Sequence, residues 1–517
     1  MKKHPSLFRS LKHYLSGRVL VILLGFVTFP LMTRMLTAGQ YGLVSLTFRI
    51  VLFLTVLSKC GLQYASARFY EGTRTEASIQ NQRRFYSTLV LGPLLTSIAV
   101  CIIYIPILLT LQPPRIEVQL YRCLLVAPAL VLLRTLQTIL LSFLRNEGKS
   151  LLHSGLEIAT KALTVVALVA LFIGGLRNAF GILAATAVCE GAIVLIQLGL
   201  LLRRDLVRLG DLDWSLIRTS IAFGAPLIAY ELSSIVLDSG DRLLVRHYLG
   251  DTSLGYYSAA YNVSNYLQET LMTPLNLAIV PIYMRLWNDK GVGATQRFLS
   301  TGLSWFITSI FFVSAATALA SKDLFVILAS QKYEIASHLL PVLIPSLMIY
   351  ATHIFLNVGL ILEKRTVLMA SLVAVSAATN LLLNILMIPS YGLMGASLAN
   401  LISYGLLILL LAWVNQKVLP LSLDFAIIWK GAVATGVGYA MSNLIRTPTS
   451  YQTILWRLPL FTAVSASLFL ALSASTRLQV LAYIRSMTPS PVSSDAPEMY
   501  LAVVNTPIPA QEHRSTP

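Results

Sequence analysis

Residues 36–45 read LTAGQYGLVS and residues 249–258 read LGDTSLGYYS. Leu36, Gly42 and Ser45 fall on Leu249, Gly255 and Ser258 at one constant offset of 213 residues. The same tripeptide, an aromatic or Leu followed by Gly and an apolar residue, returns as Phe180-Gly181-Ile182 and Tyr391-Gly392-Leu393. Gly42 and Gly181 stand 139 residues apart, and Gly255 and Gly392 stand 137 apart. A glycine beside a helix start serves a tight turn at any one of these places, but that does not account for the matched spacing. Four helix starts in register imply two homologous six-helix halves.

Each copy opens a run of mostly apolar residues long enough to cross a bilayer, for which about 20 are needed. Working outward gives about fourteen such runs, near 14–35, 41–62, 86–110, 119–143, 151–174, 179–202, 216–238, 252–284, 297–320, 338–362, 366–388, 392–414, 427–445 and 454–475. The eighth is long enough to call for a break at Pro274 or Pro281. Composition agrees: 56% of the 517 residues are hydrophobic and 12% charged, against roughly 25% charged in a soluble domain. A soluble globular enzyme is excluded, and an all-α polytopic membrane protein is expected. Its divisions are a first lobe at 1–210 (helices 1–6), a second at 211–416 (helices 7–12), helices 13–14 at 417–476, and a Pro- and Ser-containing tail at 477–517 expected to be disordered and cytoplasmic. The basic residues before the first run resemble a secretory signal. No small-residue cleavage site follows, so the run is expected to be a retained helix.

The formal charge of +17 would suggest nucleic acid in a soluble chain. Here the basic residues alternate by loop, about twenty on the N-terminal side against about nine opposite, which places both termini in the cytoplasm and no nucleic acid among the partners. Cys60, Cys101, Cys123 and Cys189 lie irregularly in or beside apolar runs, so neither a disulfide nor a metal site is expected. No cofactor is expected either. Gly148-Lys149-Ser150 imitates the end of a P-loop, but Phe143 stands where its first Gly is required. The longest outer loop, near 321–337, is too short for the acceptor of a membrane glycan polymerase or ligase.

The chemistry should reside in ionisable residues within the runs: Arg49, Arg134, Glu157, Lys161, Glu190, Glu231 and Glu269, with Arg18, Lys59, Asp238, Asp241 and Arg242 nearer the ends. A charge at mid-bilayer costs about 2.5–3.5 kcal/mol, so these must face water or one another. Glu157 and Lys161, one turn apart, are expected to neutralise each other, and Arg18 and Lys59 to reach the interface. Arg49 and Arg134 have no acid one turn away. They are the first candidates for gripping a diphosphate, with Arg18 as a third, because a guanidinium stays charged when desolvated and presents a fork of donors. Glu231, Glu269 and Asp238 are candidates for a coupling H+ or Na+, an ordinary buried, hydrogen-bonded carboxylate being the alternative.

The stretches GRVLVILLGFVTFPLMTRMLTAGQYGLVSL (17–46), IAFGAPLIAYELSSIVLDSGDRLLVRHYLGDTSLGYYSAAYNV (221–263) and IPSYGLMGASLANLISY (388–404) resemble the polysaccharide-biosynthesis, Wzx-like flippases of the multidrug/oligosaccharidyl-lipid/polysaccharide exporter superfamily. The resemblance covers helices 1–12. It implies two pseudo-symmetric bundles around a cationic cavity, and transport of an undecaprenyl-diphosphate-linked oligosaccharide across a bacterial cytoplasmic membrane for O-antigen, capsule or exopolysaccharide. Polysaccharide polymerase and chain-length proteins are implied as partners beside the membrane lipids. Asp241-Arg242 matches the family's Asp-Arg after helix 7, and Gly255 and Gly392 its helix-start glycines. With Gly42 and Gly181, these are the expected structural and gating positions. Some lipid II flippase relatives bind a cation between helices 7, 11 and 12; here Asn380, Asn384 and Asn400 are polar in helices 11 and 12, but helix 11 has no acid. A drug/cation antiporter of the same fold is the alternative, and would call for an acidic first-lobe cavity.

Overall fold

The structure is a computed structural model and describes residues 7–75, 79–113, 116–445 and 453–472; the expected tail at 477–517 lies outside them. The helices are α1 (Leu7–Met35), α2 (Ala38–Lys59), α3 (Leu62–Thr75), α4 (Ile79–Thr110), α5 (Val118–Asn146), α6 (Ser150–Ile173), α7 (Ala179–Leu202), α8 (Trp214–Ser239), α9 (Asp241–Leu328), α10 (Leu340–Ala351), α11 (His353–Leu362), α12 (Thr366–Val418), α13 (Phe425–Leu444) and α14 (Leu458–Leu472). Among the described residues there is no strand. Within the described residues, ten stretches are long and apolar enough to cross a membrane.

Polar caps set the helix starts. Thr37 and Gln40 form a reciprocal capping box at α2, Asn178 accepts from the Gly181 amide at α7, and Asp213 accepts from two amides of α8. Each side chain satisfies amides that a helix start leaves without carbonyl partners.

A straight helix of the 88 residues of α9 would run about 130 Å. It is interrupted where Gly250 (φ 81°) and Gly291 (φ 75°) leave helical geometry, and α12 where Gly392 does (φ 59°). The chain reverses there: Asn380 donates to Asn400 at 2.8 Å, although twenty residues of straight helix would separate them by about 30 Å. The break expected at Pro274 or Pro281 does not occur, and the helix continues through both. A proline removes one hydrogen bond and bends a helix, whereas reversal needs a left-handed residue, which glycine supplies most readily. Helix α3 lies in no apolar run. It follows Cys60 (φ 45°) and Gly61 (φ 74°), which terminate α2.

Packing defines two helical sets. In the first, α1 lies on α6, α2 on α5, and α5 on α4 and α7. In the second, α12 lies on α8 and α9, and α10 on α9 and α12. The sets meet where α1 and α2 face α8 and α9, while α13 packs on α9 and α14. Polarity is inverted relative to a soluble protein: Thr47, Ser87, Thr88, Asn380, Asn384 and Asn400 are fully buried, whereas Ile103, Val188 and Leu409 are 65–71% exposed. Lipid solvates such an exterior, so cohesion comes from close packing of small residues and internal hydrogen bonds.

Candidate functional site

At one end of the interface between the sets, the repeat folds onto itself. Gly42 of α2 abuts Gly255 of α9 so closely that a Cβ at 255 would sit 1.8 Å from the Ala38 carbonyl oxygen, and one at 42 would sit 2.7 Å from the Gly255 nitrogen. Bonds across the interface seal this seam: Thr33 Oγ1 donates to the Ala329 carbonyl at 2.8 Å, Asn262 Nδ2 to the Tyr41 hydroxyl at 2.6 Å, and Lys332 to the Leu36 carbonyl. The repeat's second and fourth glycines serve other ends. Gly181 sits inside a helix cap, and Gly392 supplies the left-handed reversal of α12.

Further along, α2 and α8 run antiparallel and are pinned by two ion pairs. Arg49 Nη1 lies 2.7 Å from Asp238 Oδ2, and Lys59 Nζ lies 3.0 Å from Glu231 Oε1. Beyond them Gly61 touches Gly224 backbone to backbone. Gln63 and Tyr64 donate to the second oxygen of Glu231 at 3.2 and 3.1 Å.

Beside this ladder lies a charged cluster built from α1, α5, α6, α7 and α9. Arg134 makes a two-nitrogen pair with Glu190, at 3.0 Å from Nε and 2.9 Å from Nη2, and its guanidinium lies 4.9 Å from the centre of the Phe48 ring. Lys161 is exposed and faces the charges of Arg134, Glu190, Arg18 and Glu269. Arg18 is likewise exposed, and neither Arg18 nor Lys161 forms an ion pair among the described residues. Glu269 accepts from Asn265 at 3.2 Å, and Tyr266 feels both Glu269 and Arg49. Cations from three helices thus converge on one region, with an acid contributed by the second set.

A third group is fully buried in the second set. Tyr257 donates to Asp241, as does Asn400 at 3.0 Å; Asn380 donates to Asn400, and Asn384 to Asn380. Arg242 is 0% exposed, 3.7 Å from Asp241, and its guanidinium lies 4.3 Å from the centre of the Tyr261 ring.

A family profile described as polysaccharide biosynthesis protein matches residues 9–287, more than half the chain. The chain belongs to that family. Among solved structures, it is similar to the lipid II flippase MurJ in an inward closed conformation, with TM-score 0.64 and 13% identity over 92% of this chain and all of that one. It is also similar to a multidrug resistance MATE family transporter of the MOP superfamily in an inward-facing conformation, with TM-score 0.59 and 16% identity over 79% of this chain and 98% of that one. No curated protein matches by sequence. Identities this low establish a shared helical fold and no more.

In this member of the family, the structure redistributes the roles read from sequence. Arg49 and Arg134 have no acid nearby in sequence, yet both are paired across the fold, with Asp238 and Glu190. Glu157 does not neutralise Lys161; it lies 3.6 Å from His153, which leaves Lys161 to the cluster. Glu231 is engaged at both oxygens, so among the second set's carboxylates Glu269 is the more open to a coupling ion. Lys59 turns inward to Glu231 rather than to the interface. The partners Gln63, Tyr64, Tyr257 and Tyr261 carried no sequence signal, because one-turn spacing reports only neighbours on the same helix.

The seam also holds a pH-sensitive contact. A cavity of about 540 Å³ there is lined by Glu117, Gln119, Asp251, Thr252, Tyr256 and Lys332. The hydrogen bond to Asp251 raises Glu117 from 4.5 to about 7, helped by burial and opposed by Arg246, which lies 3.8 Å from Glu117 and 2.7 Å from Asp251. A raised acid makes its full contribution to closure below its ordinary pKa and loses it as pH rises through the raised value. Spin labels placed across the seam should therefore report progressive loosening between pH 4.5 and 7, and Glu117→Gln should flatten that dependence. A seam distance unchanged over this range would contradict it.

Proposed function

We propose that this protein is a flippase that carries undecaprenyl-diphosphate-linked oligosaccharide from the inner to the outer leaflet of a bacterial cytoplasmic membrane, supplying O-antigen, capsule or exopolysaccharide assembly. The observation carrying this reading is the convergence of Arg18, Lys161 and Arg134 between two helical sets of a transporter fold. In a water-reached but partly desolvated site, guanidinium and ammonium groups hold phosphate oxygens through short charge-assisted hydrogen bonds. Arg18 and Lys161 are available directly. Arg134 retains the nitrogen not given to Glu190, and Arg49 spends only Nη1 on Asp238.

With both termini cytoplasmic, the glycine seam is the outer gate, closed here, and the cluster opens toward the cytoplasm. The diphosphate enters the cluster, the sugars occupy the interface between the sets, and the polyprenyl chain remains in lipid. Parting of Gly42 from Gly255 then releases the head group outward. Glu269, the acid beside the cationic cluster, is where H+ or Na+ would couple to the cycle. No covalent bond changes, so this is transport rather than catalysis. The cationic character of the cluster disfavours a drug/cation antiporter, whose cargo would be repelled.

Deletion in the native host tests the reading. Lipid-linked oligosaccharide should accumulate on the cytoplasmic leaflet while surface polysaccharide falls. Unchanged leaflet distribution would overturn it.

A further inference from the structure

Asp238 stands between two arginines, and only Arg49 is hydrogen-bonded to a carboxylate. Its Oδ2 binds Arg49 of the first set at 2.7 Å and Ser239 Oγ at 2.9 Å, and its Oδ1 accepts from the Tyr261 hydroxyl. One turn further on, Arg242 uses Nη1 to donate to the backbone carbonyl of Asp238 at 3.0 Å. Its Nε and Nη2 are buried without a hydrogen-bond partner, and Oδ1 of its neighbour Asp241 is in the same condition. A buried guanidinium with two idle nitrogens is costly, since each unmet buried donor loses about 1–3 kcal/mol, more when charged. Two carboxylates already exert their field on it, Asp241 at 3.7 Å first and Asp238 second, and Arg242 acts in turn on Asp238. The tyrosine that holds Asp238 is also the one beneath Arg242, 4.3 Å from its guanidinium.

We propose that Asp238 is a transferable counter-ion, paired with Arg49 when the carrier is empty and handed to the idle donors of Arg242 when an anionic phosphate takes its place on Arg49. This rests on the reading of the cluster as a diphosphate site and assigns a positioning role within it. The Arg49–Asp238 pair fastens α2 to α8. An empty carrier is therefore locked at mid-depth, and an anion unlocks it by satisfying Arg49 while the released carboxylate satisfies Arg242. The released carboxylate then meets guanidinium donors that hydrogen-bond to nothing else, instead of being left desolvated without a donor.

The test is the affinity of purified full-length protein in nanodiscs for undecaprenyl diphosphate, with undecaprenol as the uncharged control. Asp238→Asn removes the competitor for Arg49 and should tighten binding about ten-fold, which corresponds to a coupling of about 1.4 kcal/mol. Arg242→Lys cannot offer the same fork to the released carboxylate. It should weaken binding about ten-fold in the wild-type background and by less than about two-fold alongside Asp238→Asn, the non-additivity expected of residues coupled through one partner. A merely structural Arg242 would act equally in both backgrounds, and that result, or unchanged affinity in Asp238→Asn, overturns the exchange. If Arg242→Lys does not fold, Asp238→Asn decides alone. If wild-type protein binds undecaprenyl diphosphate no better than undecaprenol, the diphosphate site itself fails and the exchange with it; binding that ignores Asp238 sinks the exchange only.

Discussion

Gly255→Ala is expected to abolish export. The added methyl would lie 1.8 Å from the Ala38 carbonyl oxygen, a backbone atom that cannot swing away as a side chain can. Overpacking of this kind costs about 1–3 kcal/mol, and often more against backbone. The cost falls on the state in which the seam is closed, so the balance between closed and open seams should move toward open by roughly 5- to 150-fold. A carrier held open on that side cannot reload from the other. Surface polysaccharide in a complemented deletion strain measures the loss, and spin labels across the seam should show the widened end. Gly392→Ala is the control. Nothing lies within 4 Å of its Cβ position, so the substitution adds only the strain of a positive φ, about 1–2 kcal/mol, with no bias toward an open seam. Full export with Gly255→Ala would show that the seam is not a working gate.

The second large effect concerns Glu190, which is 8% exposed and set among Arg134, Lys161 and Arg18. Glu190→Gln removes the only carboxylate paired with Arg134 among the described residues and leaves cations facing cations. Breaking one side of a fully buried pair costs about 3–5 kcal/mol; with Arg134 26% exposed, a loss of about 1–3 kcal/mol is expected. Thermal melts of detergent-purified protein should show that loss for Glu190→Gln and recovery of most of it in Arg134→Gln/Glu190→Gln, where neither charge remains. A single variant as stable as wild type, or a double variant no better than the single, would mean that the pair is not desolvated as the structure has it.

These two sites mark what could and could not be read from sequence. The seam was legible because a repeat leaves a spacing: Gly42 and Gly255 share an offset with their neighbours, and homologous helix starts related by a pseudo-symmetry axis meet one another. The apolar runs were legible because lipid imposes a length. The reversals at Gly250 and Gly291 fall in the gaps left between apolar runs, before 252 and between 284 and 297, whereas the break expected at a proline inside the run does not occur. Helix α3 escaped because it is amphipathic rather than apolar. Pairing was the least legible feature. Arg134 and Glu190 are 56 residues apart and Arg49 and Asp238 are 189 apart, and no local period connects residues on different helices. Sequence therefore picked out the membrane-embedded charges, with Arg49, Arg134 and Arg18 as the phosphate candidates, but not the acids that the fold sets against Arg49 and Arg134.

Arg18 and Lys161 are the cluster cations that form no ion pair among the described residues, so their removal orphans no paired acid there. The most direct measurement is the affinity of full-length Arg18→Gln/Lys161→Gln protein in nanodiscs for undecaprenyl diphosphate, alongside its melting temperature. Charge-assisted hydrogen bonds contribute about 1.5–3 kcal/mol each, so losing two should weaken binding by on the order of a hundred-fold or more while the fold persists. Wild-type affinity in that variant, with the protein folded, would contradict the assignment of this cluster to a diphosphate head group.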